Sequence, residues 1–194
     1  MKTLKDFNFR NKRVLVRCDF NVPLSKEGDI LDDFRIKQTI PTINYLIQKG
    51  AKVILMSHLG KPEGKFIKSL KLDKVQEKLM EYLDLSVAKA KDCIGKEIEN
   101  WTKSMQPGEI LLLENLRFHK EEEEGSLDFA KELSKLGDIF INEAFATCHR
   151  AHASIAGIAQ YLPAVAGLLL EKEVDTLGSL LRNPVHPFTS IFGG

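Results

Sequence analysis

Four short apolar runs in this sequence each end in residues able to recognise an anion. VLV runs into Arg17-Cys18-Asp19-Phe20-Asn21, and VILM into Ser57-His58-Leu59-Gly60-Lys61. ILLL leads to Glu114-Asn115-Leu116-Arg117, and IFI to Asn142-Glu143 and then His149-Arg150-Ala151-His152. In open parallel sheets, ligands bind beyond the carboxyl ends of the strands. One polar residue after a strand is usually a solvated turn. Basic residues from four separate segments at one edge read as a pocket for a small polyanion, because a guanidinium gives carboxylate or phosphate two parallel hydrogen bonds.

Other chemistry-bearing patterns are weaker. Gly60-Lys61-Pro62-Glu63-Gly64-Lys65-Phe66 resembles a phosphate-binding loop, but three residues rather than four separate the glycines. Phe66 also stands where a Ser or Thr would hold magnesium. No G-x-G-x-x-G follows the first run, which disfavours a dinucleotide site. The four carboxylates Glu121 to Glu124 point in several directions on a helix and read as a solvated face near a helix start rather than a metal site. His119 and His186 read as structural or exposed, and no metal site is expected.

The elements that must position these residues follow from hydrophobic pattern. Nearly continuous apolar runs predict strands buried on both faces at Arg13 to Phe20, Lys52 to Ser57, Glu109 to Leu113 and Asp138 to Ile141, with a weaker one at Leu85 to Ala88. Between them Ile36, Ile40, Ile43 and Ile47 form one helical stripe, in which Pro41 predicts that regular helix begins only near Thr39. Leu72, Val75, Leu79 and Leu83 form a second stripe; Ile94, Ile98, Trp101 and Met105 a third; Ala130, Leu133 and Leu136 a fourth. Alternation of this kind predicts an α/β fold, a parallel sheet covered by helices on both faces in a Rossmann-like three-layer sandwich. Leu170, Val174, Leu177 and Leu181 mark a long helix ended by Asn183-Pro184. Phe188 to Phe192 then reads as a strand beginning just before the sequence stops, so the expectation is of a chain cut short of a second domain.

Bulk properties set limits. The chain has 194 residues, 43% apolar, with 28 basic and 27 acidic residues for a net charge of +1. That balance predicts no nucleic-acid partner, so anion recognition must come from local charge. The charged segment MKTLKDFNFRNKRVLV does not read as a signal peptide, and the apolar run Leu162 to Leu170 is far short of the roughly 20 residues needed to span a bilayer. Three widely spaced cysteines read as reduced thiols in a cytoplasmic protein.

The segments VRCDFNVP (Val16 to Pro23), MSHLGKP (Met56 to Pro62), LLLENLRFH (Leu111 to His119) and INEAFATCHRAHAS (Ile141 to Ser154) resemble, in order and spacing, the signatures of the phosphoglycerate kinases. AVAGLLLEKEV and NPVHPF…IFGG are similar to that family's interdomain helix and the first strand of its C-terminal domain. The resemblance implies a two-domain, usually monomeric glycolytic phosphotransferase that moves a phosphoryl group between 1,3-bisphosphoglycerate and magnesium-ADP. It implies a phosphoglycerate site at Asp19, Asn21, Arg35, His58, Lys61, Arg117 and Arg150, with His149 and His152 beside it. It also divides the chain into a phosphoglycerate-binding domain (1–163), an interdomain helix and linker (164–187) and the start of a nucleotide-binding domain (188–194). No residue of this chain is expected to bind Mg-ADP or ATP, so the chain alone is expected to be inactive.

On this resemblance Arg117, Arg150 and Lys61 would hold the distal phosphate, with His58 as donor. Asp19 and Asn21 would orient the hydroxyl and the reacting carboxyl end, and Arg35 would meet charge on the transferring group as the catalytic residue. Some positions depart from the family's habit: Lys61 replaces arginine, Glu143, Ala146 and Cys148 stand where Asp, Gly and Ala are common, and His186 where Arg is usual. Ala146 is expected to stiffen a turn that glycine leaves free. The competing expectation is a non-catalytic module binding a small anion at the same edge.

Overall fold

A computed structural model describes residues 1–191. Six strands, β1 (Arg13–Arg17), β2 (Lys52–Met56), β3 (Val87–Lys89), β4 (Ile110–Leu112), β5 (Ile139–Asn142) and β6 (Ala164–Ala166), form one sheet in the order β3-β4-β2-β1-β5-β6. Every neighbouring pair is parallel. The helices are α1 (Phe34–Gln48), α2 (Asp73–Leu83), α3 (Lys96–Ser104), α4 (Lys120–Glu123), α5 (Leu127–Ser134) and α6 (Leu168–Arg182).

The strand side chains sort by the two-residue pleat. Val14, Val16, Val53, Leu55, Ile139 and Ile141 pack with Ile36 and Ile43 of α1 and Val75 and Leu79 of α2. Leu15, Ile54, Met56, Leu111 and Phe140 pack on the opposite face with Ile98 of α3 and Phe129 and Leu133 of α5. Two cores on one sheet make the three-layer sandwich, and they explain why the runs are continuous rather than alternating.

Three expectations change. Pro41 lies inside α1, which starts at Phe34 rather than near Thr39. An interior proline forfeits a hydrogen bond at about 3 kcal/mol, and burial of Ile36, Thr39, Ile43 and Leu46 against the sheet offsets it. Ala164–Ala166 is not linker but the edge strand β6, paired with β5 from Phe140↔Ala164 to Asn142↔Ala166. Its three small residues carry too little pattern to read as a strand. Finally, no strand forms over Phe188–Ile191, and the rest of that expected strand, Phe192 onward, lies outside the described residues. Among the described residues no helix is long and apolar enough to cross a membrane.

The strand order also locates the functional edge. β1 leads through α1 to β2 on one side of the sheet, whereas β5, on the other side of β1, leads away to β6. Adjacent strands whose connections leave in opposite directions open a crevice at their carboxyl ends, where ligands of such folds bind. The loops after β1 and β5 therefore flank a switch point.

Candidate functional site

The loops leaving β1, β2 and β4 are laced together by short polar side chains. Ser57 Oγ donates to Cys18 O (2.8 Å) and accepts from the Phe20 amide (2.8 Å), joining the first two. Asn21 Oδ1 accepts from the Gly60 amide at 2.8 Å. Fully buried Asn115 accepts from the amides of Leu59 (3.2 Å) and Arg117 (3.1 Å) and donates to Leu59 O (2.8 Å) and Leu70 O (2.9 Å), which uses its amide completely. Gly60 has φ +65 and a Cβ there would sit 2.8 Å from Leu70, so this loop requires glycine.

On this scaffold the expected residues fall into two groups. Arg117 and His58 are buried. Arg117 Nη1 donates to Gly60 O at 2.8 Å, and its Nε lies 3.2 Å from Glu123. Burial, Arg150 and Arg17 lower its pKa, and Glu123 only partly compensates. Burial, then Arg17, Arg117, His152 and Arg150, push His58 down to about 2, so the imidazole is neutral. All four thus lie close enough to act on His58. Arg150 is exposed, its only side-chain hydrogen bond among the described residues being to His149 Nε2 (3.4 Å). The second group, nearer the start of α1, joins Arg35 Nη1 to Asp19 Oδ2 at 2.5 Å, while the Asn21 amide donates to Asp19 Oδ1 at 3.1 Å. Half of the Arg35 side chain is open to solvent (48%). Lys61 is exposed on the Gly60 loop and has no ion-pair partner among the described residues.

Under the cationic edge lies a buried network that sequence reasoning missed. Glu122 is fully buried, which corrects the reading of Glu121–Glu124 as a wholly solvated face. Its Oε2 accepts from the Ser154 amide (2.9 Å) and its Oε1 from the Ser154 hydroxyl (2.5 Å). Arg17 Nε donates to the same Ser154 Oγ at 2.8 Å, and Arg17 Nη2 meets His58 Nδ1 at 3.1 Å. A run of four glutamates gives no sign of which one turns inward; only the packing of α4 selects it.

Glu143 is a second fully buried carboxylate here. It accepts from Thr42 Oγ1 (2.5 Å) and from the amides of Leu169 (3.0 Å) and Leu170 (3.5 Å), so it caps the start of α6. With Asp19, Arg35, Thr39, Phe145 and Leu169 it borders a cavity of about 330 Å³ between the beginnings of α1 and α6. Ala146, at its rim, does not have a positive φ, so alanine is accommodated there without backbone strain.

The decoys resolve structurally. Phe66 packs on Phe118 (5.1 Å between ring centres) and offers no hydroxyl, and no α-helix begins at the loop, so these residues do not fit a nucleotide phosphate with magnesium. Asp92, Cys93 and His119 approach within 4.8 Å of one another, but His119 Nε2 bonds Asp92 Oδ1 (2.6 Å) and Cys93 Sγ bonds Glu114 O (3.0 Å). His119 also stacks on Phe129. All three cysteines are unpaired.

Comparison with known proteins agrees with the motifs. A family model described as phosphoglycerate kinase matches residues 4–194. The chain is 55% identical over 194 residues to the phosphoglycerate kinase of Borrelia hermsii and 54% identical over 192 residues to that of Moorella thermoacetica, covering 49% of each. Among solved structures, the phosphoglycerate kinase of Pyrococcus horikoshii superposes with a TM-score of 0.87 at 38% identity, over 96% of this chain and 47% of that one. The Coxiella burnetii enzyme superposes with a TM-score of 0.83 at 41% identity, over 95% of this chain and 46% of the other. The chain spans about half the length of the relatives it matches.

Proposed function

The chain belongs to the phosphoglycerate kinase family, and from that premise we propose that it is the half of such an enzyme that binds 3-phosphoglycerate or 1,3-bisphosphoglycerate. The observation that carries this reading is the gathering of cations around His58 at the carboxyl edge of the sheet: Arg17 Nη2 lies 3.1 Å from its Nδ1, Arg117 is tied to the Gly60 loop that follows it, and Arg150 also acts on it. Like charges gathered in a partly dry site cost energy, and a bound phosphate offsets that cost. Arg117 and Arg150 would hold the distal phosphate with Lys61 at the loop tip, while His58 would donate without adding charge. Asp19 and Asn21 would orient the hydroxyl and carboxyl end.

Arg35, exposed and steered by Asp19, would meet charge on the transferring phosphoryl group. Catalysis of this class is positional and electrostatic, and the acyl phosphate's carboxylate needs no general base. Magnesium-ADP or ATP would be held by a second domain of a cytoplasmic, monomeric glycolytic enzyme, with α6 and the residues that follow it, to 187, connecting the two. Titrating this chain with 3-phosphoglycerate tests the reading by calorimetry. Saturable binding, weakened roughly tenfold or more by Arg150→Ala or Lys61→Ala through loss of a charged hydrogen bond, is expected. Absence of binding at low salt would overturn it.

A further inference from the structure

The donor and acceptor inventory of the buried network leaves no freedom in its direction. An ionised glutamate only accepts, so both groups of Ser154 that meet Glu122, the amide at 2.9 Å and the hydroxyl at 2.5 Å, must donate to it. The single Ser154 hydroxyl proton is then used, and its oxygen is free to accept from Arg17 Nε at 2.8 Å. Arginine has no acceptor, so every remaining contact of Arg17 is also a donation. One goes to the carbonyl of Cys18 and another, at 3.1 Å, to His58 Nδ1. A ring nitrogen that accepts from a guanidinium carries a bare lone pair. The imidazole proton must therefore sit on Nε2.

We propose that Glu122, acting through Ser154 and Arg17, is a positioning residue that holds His58 as the neutral Nε2–H tautomer, so that the site offers its anion an uncharged donor among cations. The inference deepens the phosphoglycerate reading and rests on it for the ligand alone. Glu122 also anchors Arg17 electrostatically, the Nη2 to Oε1 distance being 3.9 Å, with both side chains essentially out of solvent. Together with Ser154 Oγ and the Cys18 carbonyl, that anchor turns the guanidinium toward Nδ1.

The charged groups around His58 act in the same sense. Arg17 on β1, Arg117 after β4, and Arg150 and His152 after β5 all disfavour the imidazolium. Burial of Glu122 pushes its carboxyl up, but His152, Arg17 and the two Ser154 donors outweigh it and hold the group ionised. His152 Nδ1 stands 3.7 Å from Glu122, beyond hydrogen-bond range, so it does not compete for the relay.

The test is nitrogen NMR of the histidines of this 194-residue chain between pH 5 and 8, with and without 3-phosphoglycerate. His58 should show one neutral Nε2–H form throughout and take up no proton on binding. In Glu122→Gln the Nδ1–H tautomer should appear, and affinity for 3-phosphoglycerate should fall about tenfold. If Glu122→Gln does not fold, Ser154→Ala keeps both charges and breaks only the relay, and it should produce the same mixed tautomers. An imidazolium or a dominant Nδ1–H form in the unaltered chain would overturn the proposal. So would a single Nε2–H form in a folded variant, whatever its affinity, because Glu122 would then be structural only. If the tautomer is as stated but 3-phosphoglycerate does not bind, the positioning role stands and the choice of ligand fails.

Discussion

Glu122 and Glu143 are both fully buried and both accept hydrogen bonds from backbone amides, yet the structure shifts them in opposite directions. Burial pushes each carboxyl up. At Glu122, His152, Arg17 and Ser154 more than reverse the effect, and its pKa falls below the usual value. At Glu143 the hydroxyl of Thr42 and the amides of Leu169 and Leu170 reduce the shift without cancelling it, and the pKa stays raised. Neutral donors, even at a helix start, do not compensate for lost water as a nearby guanidinium does. Glu122 thus acts beneath the cationic edge as one half of an ion pair with Arg17, whereas Glu143 fastens the loop after β5 to α1 and α6 as a hydrogen-bond acceptor.

The largest effect should come from breaking the first region. Glu122→Ala leaves Arg17 buried without its anion and should destabilise the chain by about 3–5 kcal/mol, as removal of one partner of a buried pair does. Replacing both together, Glu122→Gln with Arg17→Met, should cost clearly less than the sum of the single changes. Urea denaturation of the three variants measures this, and simple additivity would mean that the two groups are not coupled.

The second region should yield to a methyl group. A Cβ at residue 167 would lie 1.8 Å from Glu143 Oε2, so Gly167→Ala must displace the carboxylate from the start of α6. Overpacking of this kind costs about 1–3 kcal/mol. In a Glu143→Ala background the same change should cost much less. Equal costs in both backgrounds, read from thermal melts, would show that Gly167 and Glu143 do not share space.

The pH dependence of stability separates the two carboxylates and the histidine. Glu143, raised in the fold, contributes stability that is fully present below its unfolded pKa and is lost as pH rises through the folded value. Glu122, lowered in the fold, contributes stability that is present above its unfolded pKa and is lost as pH falls through the folded value. His58, held at about 2, must stay neutral while the unfolded chain protonates. Below about pH 6.5 it should therefore cost the fold about 1.4 kcal/mol per pH unit. Melts from pH 4 to 8 should show that slope, and His58→Asn should flatten it.

The smallest effect belongs to Glu143→Gln. Glutamine keeps an acceptor for Thr42 and Leu169 in nearly the same shape, so stability at pH 7 should change by about 1 kcal/mol or less. A loss as large as that of Glu122→Ala would erase the distinction between the regions.

Much of the architecture was legible in one dimension. The runs VLV, VILM, ILLL and IFI could only be strands buried on both faces, and helical stripes between them required a parallel sheet with its loops at one edge. That placed Asp19, Asn21, His58, Arg117 and Arg150 at the carboxyl side of the strands, because chain direction alone decides which end of a parallel strand a residue follows. The motifs also carried the family. Short-range pattern could not show β6, whose Ala164–Ala166 has no hydrophobic signature, nor that α1 would run through Pro41. Both depend on neighbours distant in sequence, β5 for the one and the sheet face for the other. The same limit hid the two glutamates. Local sequence gives the ionisable group, but the sign of its shift depends on which long-range partners replace its water. Only the fold brings Arg17 and Ser154 to Glu122, and Thr42 and the start of α6 to Glu143.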